Sequence, residues 1–338
     1  MTVTLEAVRA LPKIELHRHL EGTVRPDTVH ALAAANGTPL PVDDMRTLYT
    51  YRDLRHFLDV YDTVCSTLVS AADFHRIAYE SVLDAAATGI VYTEMFFTPH
   101  VHLSRGVPAA HVWDGITAGL RDGIADTGIG VRMIMDCTKF LGPALAQIEL
   151  DLFTSLPDPD GFLVGIGGDG IEAGVDDAAL APVFAEAARR GLRRTYHAGE
   201  FSARSVADAV RVLGCERVDH GPLVVEDPAL AAEAADRGIV FTLCPSSDVL
   251  ISQVYPSVRD HSLPRMLEAG LHVTVNSDDP AMLGRDISDE YVTVVEEGLV
   301  TPEQLCDIAI GSVDACWLPD DDKAALRARL GAAWGTAF

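Results

Sequence analysis

Two hydrophobic patterns alternate along most of this chain. Eight short, almost continuously apolar runs end in polar or glycine residues, a pattern typical of parallel strands that are covered by helices. In chain order these runs are 13–22, 89–99, 130–138, 162–172, 192–200, 217–221, 239–247 and 271–280. The segments between them repeat apolar residues at helical spacing, as in 176–191, 202–214 and 227–238.

Strands that alternate with helices predict an α/β fold, and eight such units are what a (β/α)8 TIM barrel requires. A doubly wound open sheet has the same order of elements and is the alternative. We expect residues 1–338 to form one barrel domain. The interval 23–88, after the first strand, is too long for one crossover helix, and it predicts a helical insertion over the barrel mouth that is a candidate lid. Residues 286–338 are expected to be C-terminal helices that close the fold.

The composition of the chain bears on the compartment in which the protein is found and on the classes of partner that it can bind. The chain has 50 acidic and 26 basic residues and a net charge of −24, which argues against binding to nucleic acid or to an anionic membrane. Its six cysteines are scattered without a CxxC pair, as expected for reduced thiols in the cytoplasm. No basic leader with an apolar stretch, and no run long enough to span a bilayer, is present in the sequence. We expect a cytoplasmic protein, with the oligomeric state left open.

Histidines and aspartates stand at the ends of the predicted strands, which converge at one mouth in a barrel. His17 and His19 alternate on the first strand and so project from the same face. Asp278 and Asp279 close the eighth strand, and as buried neighbours they would repel each other without a cation. The predicted ligands of one metal ion per chain are His17, His19, His197 and Asp278. Three imidazoles and one carboxylate, with a position left for water, suit Zn²⁺, and iron or another divalent metal is the alternative.

Three further polar residues at the strand ends are candidates for the reaction itself. A bound divalent metal lowers the pKa of its water towards ~7 and so supplies hydroxide at neutral pH. Glu200, close to His197 in the sequence, is expected to act as a general acid or base. His220 is expected either to accept the proton of the attacking water or to hold the developing oxyanion. Asp279 is then free to bond to the substrate.

Five motifs together make the chain similar to the adenosine/adenine deaminase family of metal-dependent amidohydrolases. They are "PKIELHRHLEG", "YHAGE", "VDHG", "CPSS" and "VNSDDP", and they stand in that family's order along essentially the whole chain. The resemblance implies hydrolytic deamination of a 6-aminopurine, in which a zinc-activated hydroxide attacks C6 and ammonia leaves. By position it implies that Glu200 protonates N1, His220 orients the hydroxide, Asp279 contacts N7 and the backbone N–H of Gly170 reaches N3.

The resemblance also bears on the substrate. Phe57, Leu58 and Tyr61 match a helix that lines the sugar side of the adenosine pocket. Glu21 stands where adenosine-selective members usually carry the aspartate that contacts ribose, and glutamate is found in adenine-selective relatives. A site built around a polar partner rejects ligands that lack that partner, so this position is expected to set specificity. We expect adenine or a modified aminopurine to be preferred, and adenosine is the alternative substrate.

Other interpretations of these residues have been weighed. A catalytically inactive barrel that only binds purine-like ligands would be expected to lack Glu200 or His220, and the chain has both. Hydrolysis of a phosphoester or a cyclic amide is a second rival, but the sequence shows neither the extra cationic groups nor the second metal site typical of phosphoester chemistry. Asp248 is interpreted either as a turn residue or as a site residue, and His261 is expected to be structural. Arg18 is expected to point into the helix layer towards an acidic partner.

Overall fold

The computed structural model describes residues 3–337, and its strands follow the predicted apolar runs closely. Apart from β5, the strands are mostly buried, as expected for parallel strands with helices packed over them. The strands are β1 (Lys13–Glu15), β2 (Ile90–Phe97), β3 (Gly130–Thr138), β4 (Leu163–Asp169), β5 (Arg193–Arg194), β6 (His197–Ala198), β7 (Arg217–His220), β8 (Val240–Leu243) and β9 (His272–Val275).

All paired strands run parallel, in the orders β1-β2-β3-β4-β5 and β6-β7-β8-β9. β5 and β6 are two parts of the one predicted run 192–200, and Thr195 between them still donates its backbone N–H to Ile166 of β4. The last strand returns to the first, since His19 N–H donates to the carbonyl of Asp278 at 2.9 Å. The sheet therefore closes into the predicted (β/α)8 TIM barrel, and the open doubly wound sheet is excluded.

Helices connect the strands and form the outer layer of the barrel. Sixteen α-helices occur in the described residues: α1 (Leu5–Ala10), α2 (Pro26–Asn36), α3 (Leu54–Cys65), α4 (Ala71–Ala87), α5 (Pro99–Leu103), α6 (Ala109–Thr127), α7 (Pro143–Ser155), α8 (Ala181–Arg189), α9 (Ala203–Asp208), α10 (Pro228–Asp236), α11 (Pro245–Leu250), α12 (Leu263–Glu268), α13 (Pro280–Leu283), α14 (Ile287–Glu296), α15 (Pro302–Ala315) and α16 (Asp320–Trp334). Shorter 3-10 turns are Glu21–Thr23, Met45–Thr47, Lys139–Leu141, Asp177–Leu180, Pro222–Glu226 and Val258–Asp260, and Ala209–Leu213 is a π-helical turn. Within residues 3–337, no helix has both the length and the apolar character that crossing a bilayer demands.

The interval 23–88 divides into two parts with different positions. α3 borders the barrel mouth, whereas α4 packs along α6 in the outer layer of helices. Gly115, Gly119 and Gly123 on α6 allow this close approach: a Cβ on Gly119 would lie 2.2 Å from the carbonyl oxygen of His75. A capping box formed by Ser70 and Asp73 starts α4. Thus α4 has the position of the first crossover helix, and α2, which the hydrophobic pattern did not predict, precedes α3 in the insertion.

Buried charges inside the barrel are paired by the protein itself. Glu94 of β2 and Arg217 of β7 meet across the interior, with 2.7 Å between Oε2 and Nη1. Tyr92 and the backbone N–H of Trp317 also donate to the carboxylate of Glu94, and the Trp317 ring stacks under the guanidinium. Because every lone pair that leaves water needs a partner, this network keeps a charged carboxylate stable where no water reaches it.

Candidate active site

The four residues predicted to bind a metal lie together at the C-terminal ends of the strands. Oδ1 of Asp278 lies 3.1 Å from Nε2 of His17 and 3.2 Å from Nε2 of His19. Nε2 of His197 lies 3.1 Å from Nε2 of His17 and 3.2 Å from Nε2 of His19. All four side chains are buried. Among these three imidazole nitrogens and one carboxylate oxygen, four separations therefore measure 3.1–3.2 Å.

The spacing of these donor atoms fits a small transition-metal cation. Donors placed tetrahedrally at about 2.0 Å from zinc lie about 3.3 Å from each other, whereas the longer bonds of calcium would separate them by about 4 Å. The tautomer of His17 is also correct for a ligand, because its Nδ1 lies 3.1 Å from the carbonyl oxygen of Thr242. An Nδ1–H that donates to this carbonyl leaves the Nε2 lone pair facing the other donors.

Two site residues have a left-handed backbone where their strands end. Asp278 has a φ of +65° and His220 has a φ of +60°. This conformation costs free energy for most residues other than glycine, and it persists where the surrounding structure fixes it. At both positions it turns the chain sharply out of the strand, so that the side chain reaches the common point at the mouth.

Glu200 lies at the wall of the same site, beside His220. Its carboxylate oxygen Oε1 is 4.0 Å from Nε2 of His220 and accepts a hydrogen bond from Ser252. Glu172 holds the backbone here, because its carboxylate accepts from the N–H groups of Glu200 and Ser202 at 3.0 and 2.8 Å. Burial, together with the nearby Glu200, raises the pKa of Glu172. Glu172 closes the predicted run 162–172, but nothing in the sequence assigned it this role.

His220 belongs to a chain of three buried side chains. Its Nδ1 lies 2.9 Å from Oδ1 of Asp248, and the other oxygen of Asp248 lies 2.9 Å from Nε2 of His261. Burial would raise the pKa of Asp248, but the two histidines outweigh it and hold that pKa below its usual value. Asp248 is therefore a site residue and not only a turn residue, and His261 reaches the site through it.

Two carboxylates at the mouth have oxygens without a hydrogen-bond partner among the described residues. They are Oδ1 of Asp279 and both oxygens of Asp136. Gly22 is needed beside Asp279, since a Cβ there would lie 1.8 Å from its Oδ1. The carboxylate of Asp136 likewise occupies the space that a Cβ on Gly167 would take. Its Oδ2 lies 3.9 Å from Nδ1 of His19. Sequence reasoning missed Asp136, because it stands in the middle of a predicted strand with no motif around it.

A cavity of about 260 Å³ opens from this site to the surface. Apolar side chains from α3 form part of its wall, and they include the predicted Phe57, Leu58 and Tyr61. Glu200, His220, Asp279 and Gly170 border it as well. The N–H of Gly170 donates to Oδ1 of Asp169 in this structure, so Asp169 must move before that N–H can reach a ligand.

Glu21 does not border the cavity in this structure. Its buried carboxylate accepts hydrogen bonds from the backbone N–H of Thr98 at 3.1 Å, the hydroxyl of Tyr61 at 3.1 Å and Nε2 of His102 at 2.9 Å. The hydrogen bonds to Thr98 and His102 hold the pKa of Glu21 below its usual value, although burial alone would raise it. Glu21 thus stands behind Tyr61 and fixes the cavity wall, a placement that differs from the expected direct contact with substrate.

The charge of the cavity wall is acidic. Of the described residues that border it, none is a lysine or an arginine, while five are aspartate or glutamate: Asp62, Asp169, Glu200, Asp278 and Asp279. Lys139 lies close by but is buried and donates to the carbonyl of His197 at 2.9 Å. Arg18 points away from the metal ligands, as predicted, and its partner is Glu15 at 3.2 Å.

Comparison with known proteins agrees with this geometry. Residues 12–333 match the family model described as adenosine deaminase. An adenine deaminase of Streptomyces coelicolor is 39% identical over 96% of this chain and 95% of its own length, and one of Ralstonia nicotianae is 36% identical over 94% of each chain. A crystal structure of adenine deaminase from Arthrobacter aurescens superposes with a TM-score of 0.90 at 32% identity, covering 96% of this chain and 99% of its own. An amidohydrolase structure from Burkholderia ambifaria with bound Zn gives a TM-score of 0.92 at 32% identity, covering 100% of this chain and 94% of its own.

Proposed function

The chain belongs to the adenosine deaminase family and is a hydrolytic aminopurine deaminase with a divalent metal site, and on that premise we propose that its substrate is adenine and its metal is zinc. The observation that carries the proposal is the arrangement at the strand ends. Four donor atoms with zinc-like spacing stand beside a carboxylate and an imidazole, at the base of a small cavity. Relatives that are named adenine deaminases match nearly the whole chain.

The donor set fits zinc in chemistry as well as in spacing. His17, His19, His197 and Asp278 would hold one ion per chain, because neutral imidazoles and one carboxylate are ligands that zinc prefers. When bound, the metal supplies a nucleophilic oxygen from water at neutral pH. It also neutralises the charge of Asp278 beside Asp279, which allows these neighbouring carboxylates to be buried together.

The residues of the chain supply binding and proton transfer. Glu200 reaches into the cavity and, when protonated, gives a proton to a purine ring nitrogen, which by family resemblance is N1. His220 presents its Nε2 beside Glu200 and accepts a proton there. Asp279 has an oxygen free of protein partners, and burial with the adjacent Asp278 raises its pKa, so that in its protonated form it would donate to N7 on the other ring. The purine lies between these groups, with its remaining face against the apolar side chains of α3.

The cavity wall favours a free base over a nucleoside or a nucleotide. A phosphate group would meet acidic side chains and no lysine or arginine among the described lining residues, so a nucleotide is disfavoured. The carboxylate that the family resemblance assigns to a ribose hydroxyl is that of Glu21, and it does not border the cavity, because Thr98, His102 and Tyr61 already satisfy it behind the wall. A bound ribose would then lose hydrogen bonds to water without replacement, which weakens its binding.

An assay of ammonia release over adenine, adenosine, deoxyadenosine and AMP, with methylamine release measured for N6-methyladenine, tests this proposal. We expect kcat/KM for adenine to exceed that for adenosine by about tenfold or more, since a lost hydrogen-bond partner is worth at least that factor, and AMP to give no turnover. Elemental analysis of the same preparation should find zinc at about one ion per chain. Preference for adenosine would overturn the substrate, iron in place of zinc would overturn the metal, and metal-loaded protein that releases no ammonia would overturn the function.

A further inference from the structure

The segment that follows α11 contains a strained backbone position that the proposed reaction does not explain. Among the described residues, three that are not glycine have a positive φ: His220, Asp278 and Gln253. The first two carry their own side chains into the site, whereas Gln253, with a φ of +54°, is exposed and does not border the cavity. Strain of this kind persists where the surrounding structure fixes it, and it is frequent at functional sites.

Ser252, next to Gln253, borders the cavity and contacts the proposed general acid. Its hydroxyl donates to Oε1 of Glu200, and this bond restricts the rotation of the carboxylate. The other oxygen, Oε2, has no hydrogen-bond partner among the described residues, so it is the oxygen available to a ligand. Ser252 lies outside the five motifs that carry the family resemblance, and those motifs therefore assign it no role.

One backbone bond and one side-chain bond hold this segment in place. The backbone N–H of Ser252 donates to the carbonyl of Ser247 at 3.2 Å, close to the end of α11. The side-chain amide of Gln253 donates to the carbonyl of Arg52 at 2.6 Å, two residues before α3 begins. The left-handed turn at Gln253 thus lies between a residue that contacts Glu200 and a bond to the chain that enters α3.

We propose that Ser252 and Gln253 are positioning residues for the general acid: Ser252 orients the carboxylate of Glu200, and the left-handed turn at Gln253 holds Ser252 there. The inference rests on the proposed function, because it concerns the carboxylate to which proton transfer is assigned. The side chain of Gln253 has a separate task, since it fastens the start of α3, and α3 carries the apolar wall of the cavity. Loss of the turn therefore affects the chemical step, whereas loss of the amide affects substrate binding.

Ser252→Ala removes the hydroxyl and leaves the backbone as it is. We expect kcat for adenine to fall by about tenfold or more with little change in KM, because misplacing a reacting group by about 1 Å can cost about a hundredfold. Ser252→Thr keeps a hydroxyl on the same carbon and should recover most of that rate. In a Glu200→Gln background, Ser252→Ala should not lower the residual rate further, since there is then no acid to orient. Ser257→Ala is the matched control, because that hydroxyl donates to Asp260 at 2.6 Å, away from the cavity.

A matched pair of variants at position 253 separates the turn from the amide. Gln253→Asn and Gln253→Val both lose the bond to Arg52, because asparagine is one methylene too short and valine has no amide. Asparagine enters the left-handed region readily, whereas a β-branched residue does so only with strain. We expect Gln253→Asn to raise KM for adenine by about threefold, and Gln253→Val to lower kcat in addition, by about as much as Ser252→Ala does.

Three outcomes would overturn the proposal while leaving the proposed function intact. They are a kcat of Ser252→Ala within about threefold of the wild type, a Ser252→Thr variant no more active than Ser252→Ala, and equal kcat values for the two variants at position 253. Each comparison uses variants with the metal content and melting temperature of the wild type. If Gln253→Val does not fold, the variants of Ser252 decide the question alone. Failure of the wild type to release ammonia from any aminopurine would instead count against the proposed function.

Discussion

The barrel interior and the barrel mouth both bury carboxylates, but the buried carboxylates differ in whether their oxygens have hydrogen-bond partners. In the interior, the carboxylate of Glu94 forms an ion pair with Arg217 and accepts hydrogen bonds from the hydroxyl of Tyr92 and the N–H of Trp317. At the mouth, Asp136 and Asp279 are equally buried and have oxygens with no hydrogen-bond partner in residues 3–337. An unpaired buried carboxylate costs several kcal/mol, so it persists only where a ligand, a proton or a metal completes it.

This difference distinguishes a buried carboxylate that stabilises the fold from buried carboxylates that belong to the site. In the interior, both oxygens of Glu94 have protein partners without any ligand, although Nε and Nη2 of Arg217 have no hydrogen-bond partner among the described residues. The mouth has an excess of acceptors, and burial together with the adjacent Asp278 raises the pKa of Asp279 well above its usual value. Unpaired carboxylate oxygens are therefore a feature of the site, although Glu149 on α7 has them as well. The first two substitutions below each change one region, and the third changes Glu149.

The largest effect is expected from Glu200→Gln at the mouth. The amide keeps the shape of the side chain but cannot exchange a proton with the purine, and general acid–base groups contribute about 10²–10⁴-fold to rates. We expect deamination of adenine to fall by about a thousandfold or more, while the metal content stays near one ion per chain and the melting temperature stays near that of the wild type. Residual turnover close to the wild-type rate would remove Glu200 from the mechanism.

The next effect concerns stability and comes from Arg217→Met in the interior. Removing one partner leaves Glu94 buried and uncompensated, which typically costs about 3–5 kcal/mol. Urea unfolding should show that loss, and kcat per folded molecule should be unchanged. Adding Glu94→Gln should restore much of the stability, because the uncompensated charge is then gone. If Arg217→Met is as stable as the wild type, the interior pair does not have the structural role given to it here.

Glu149 on α7 lies outside both regions and provides the smallest and most specific test. Both of its oxygens are buried without hydrogen-bond partners among the described residues, and burial raises its pKa to about 8. With a folded pKa above the usual 4.5, the folded protein holds a proton that the unfolded chain releases, so stability falls as the pH rises from about 4.5 to 8. An unpaired acid distant from the metal ligands would thus be completed by a proton.

Glu149→Gln removes this dependence on pH. We expect the variant to exceed the wild type in unfolding free energy by about 3 kcal/mol at pH 8.5, and to match it near pH 4.5, as measured by urea unfolding at both values. Glu268→Gln, on the exposed end of α12, is the control and should show no such divergence. A gap that does not widen with pH would show that Glu149 is ionised and paired in solution.

The sequence predicted those parts of the site that depend on a single strand. His17 and His19 share a face because of strand alternation, and Asp278 and Asp279 follow an apolar run, so their convergence follows from the barrel itself. Asp248 and His261 could not be assigned in this way. Their link to His220 depends on how a loop after β8 folds back, and no local pattern encodes that contact.

The helices show the same limit at a larger scale. The sequence predicted helices within 23–88, but not that α4 packs on α6. The close packing depends on Gly115 and Gly119, because a Cβ at either position would clash with α4. This requirement becomes visible only when the two helices are known to be adjacent. The position of Glu21 behind Tyr61 likewise depends on His102, which reaches it from a helix that follows another strand.

The left-handed backbone at His220 and Asp278 has an evolutionary consequence. Histidine and aspartate are among the few residues with a side chain that enter this conformation readily, and here they are also the groups that the chemistry needs. Glycine would adopt the turn without strain but would remove the functional group. Glutamate or glutamine would offer similar chemistry, but they adopt a positive φ less readily. A substitution at either position is therefore expected to lose the functional group or to strain the backbone, even in relatives that use a different purine.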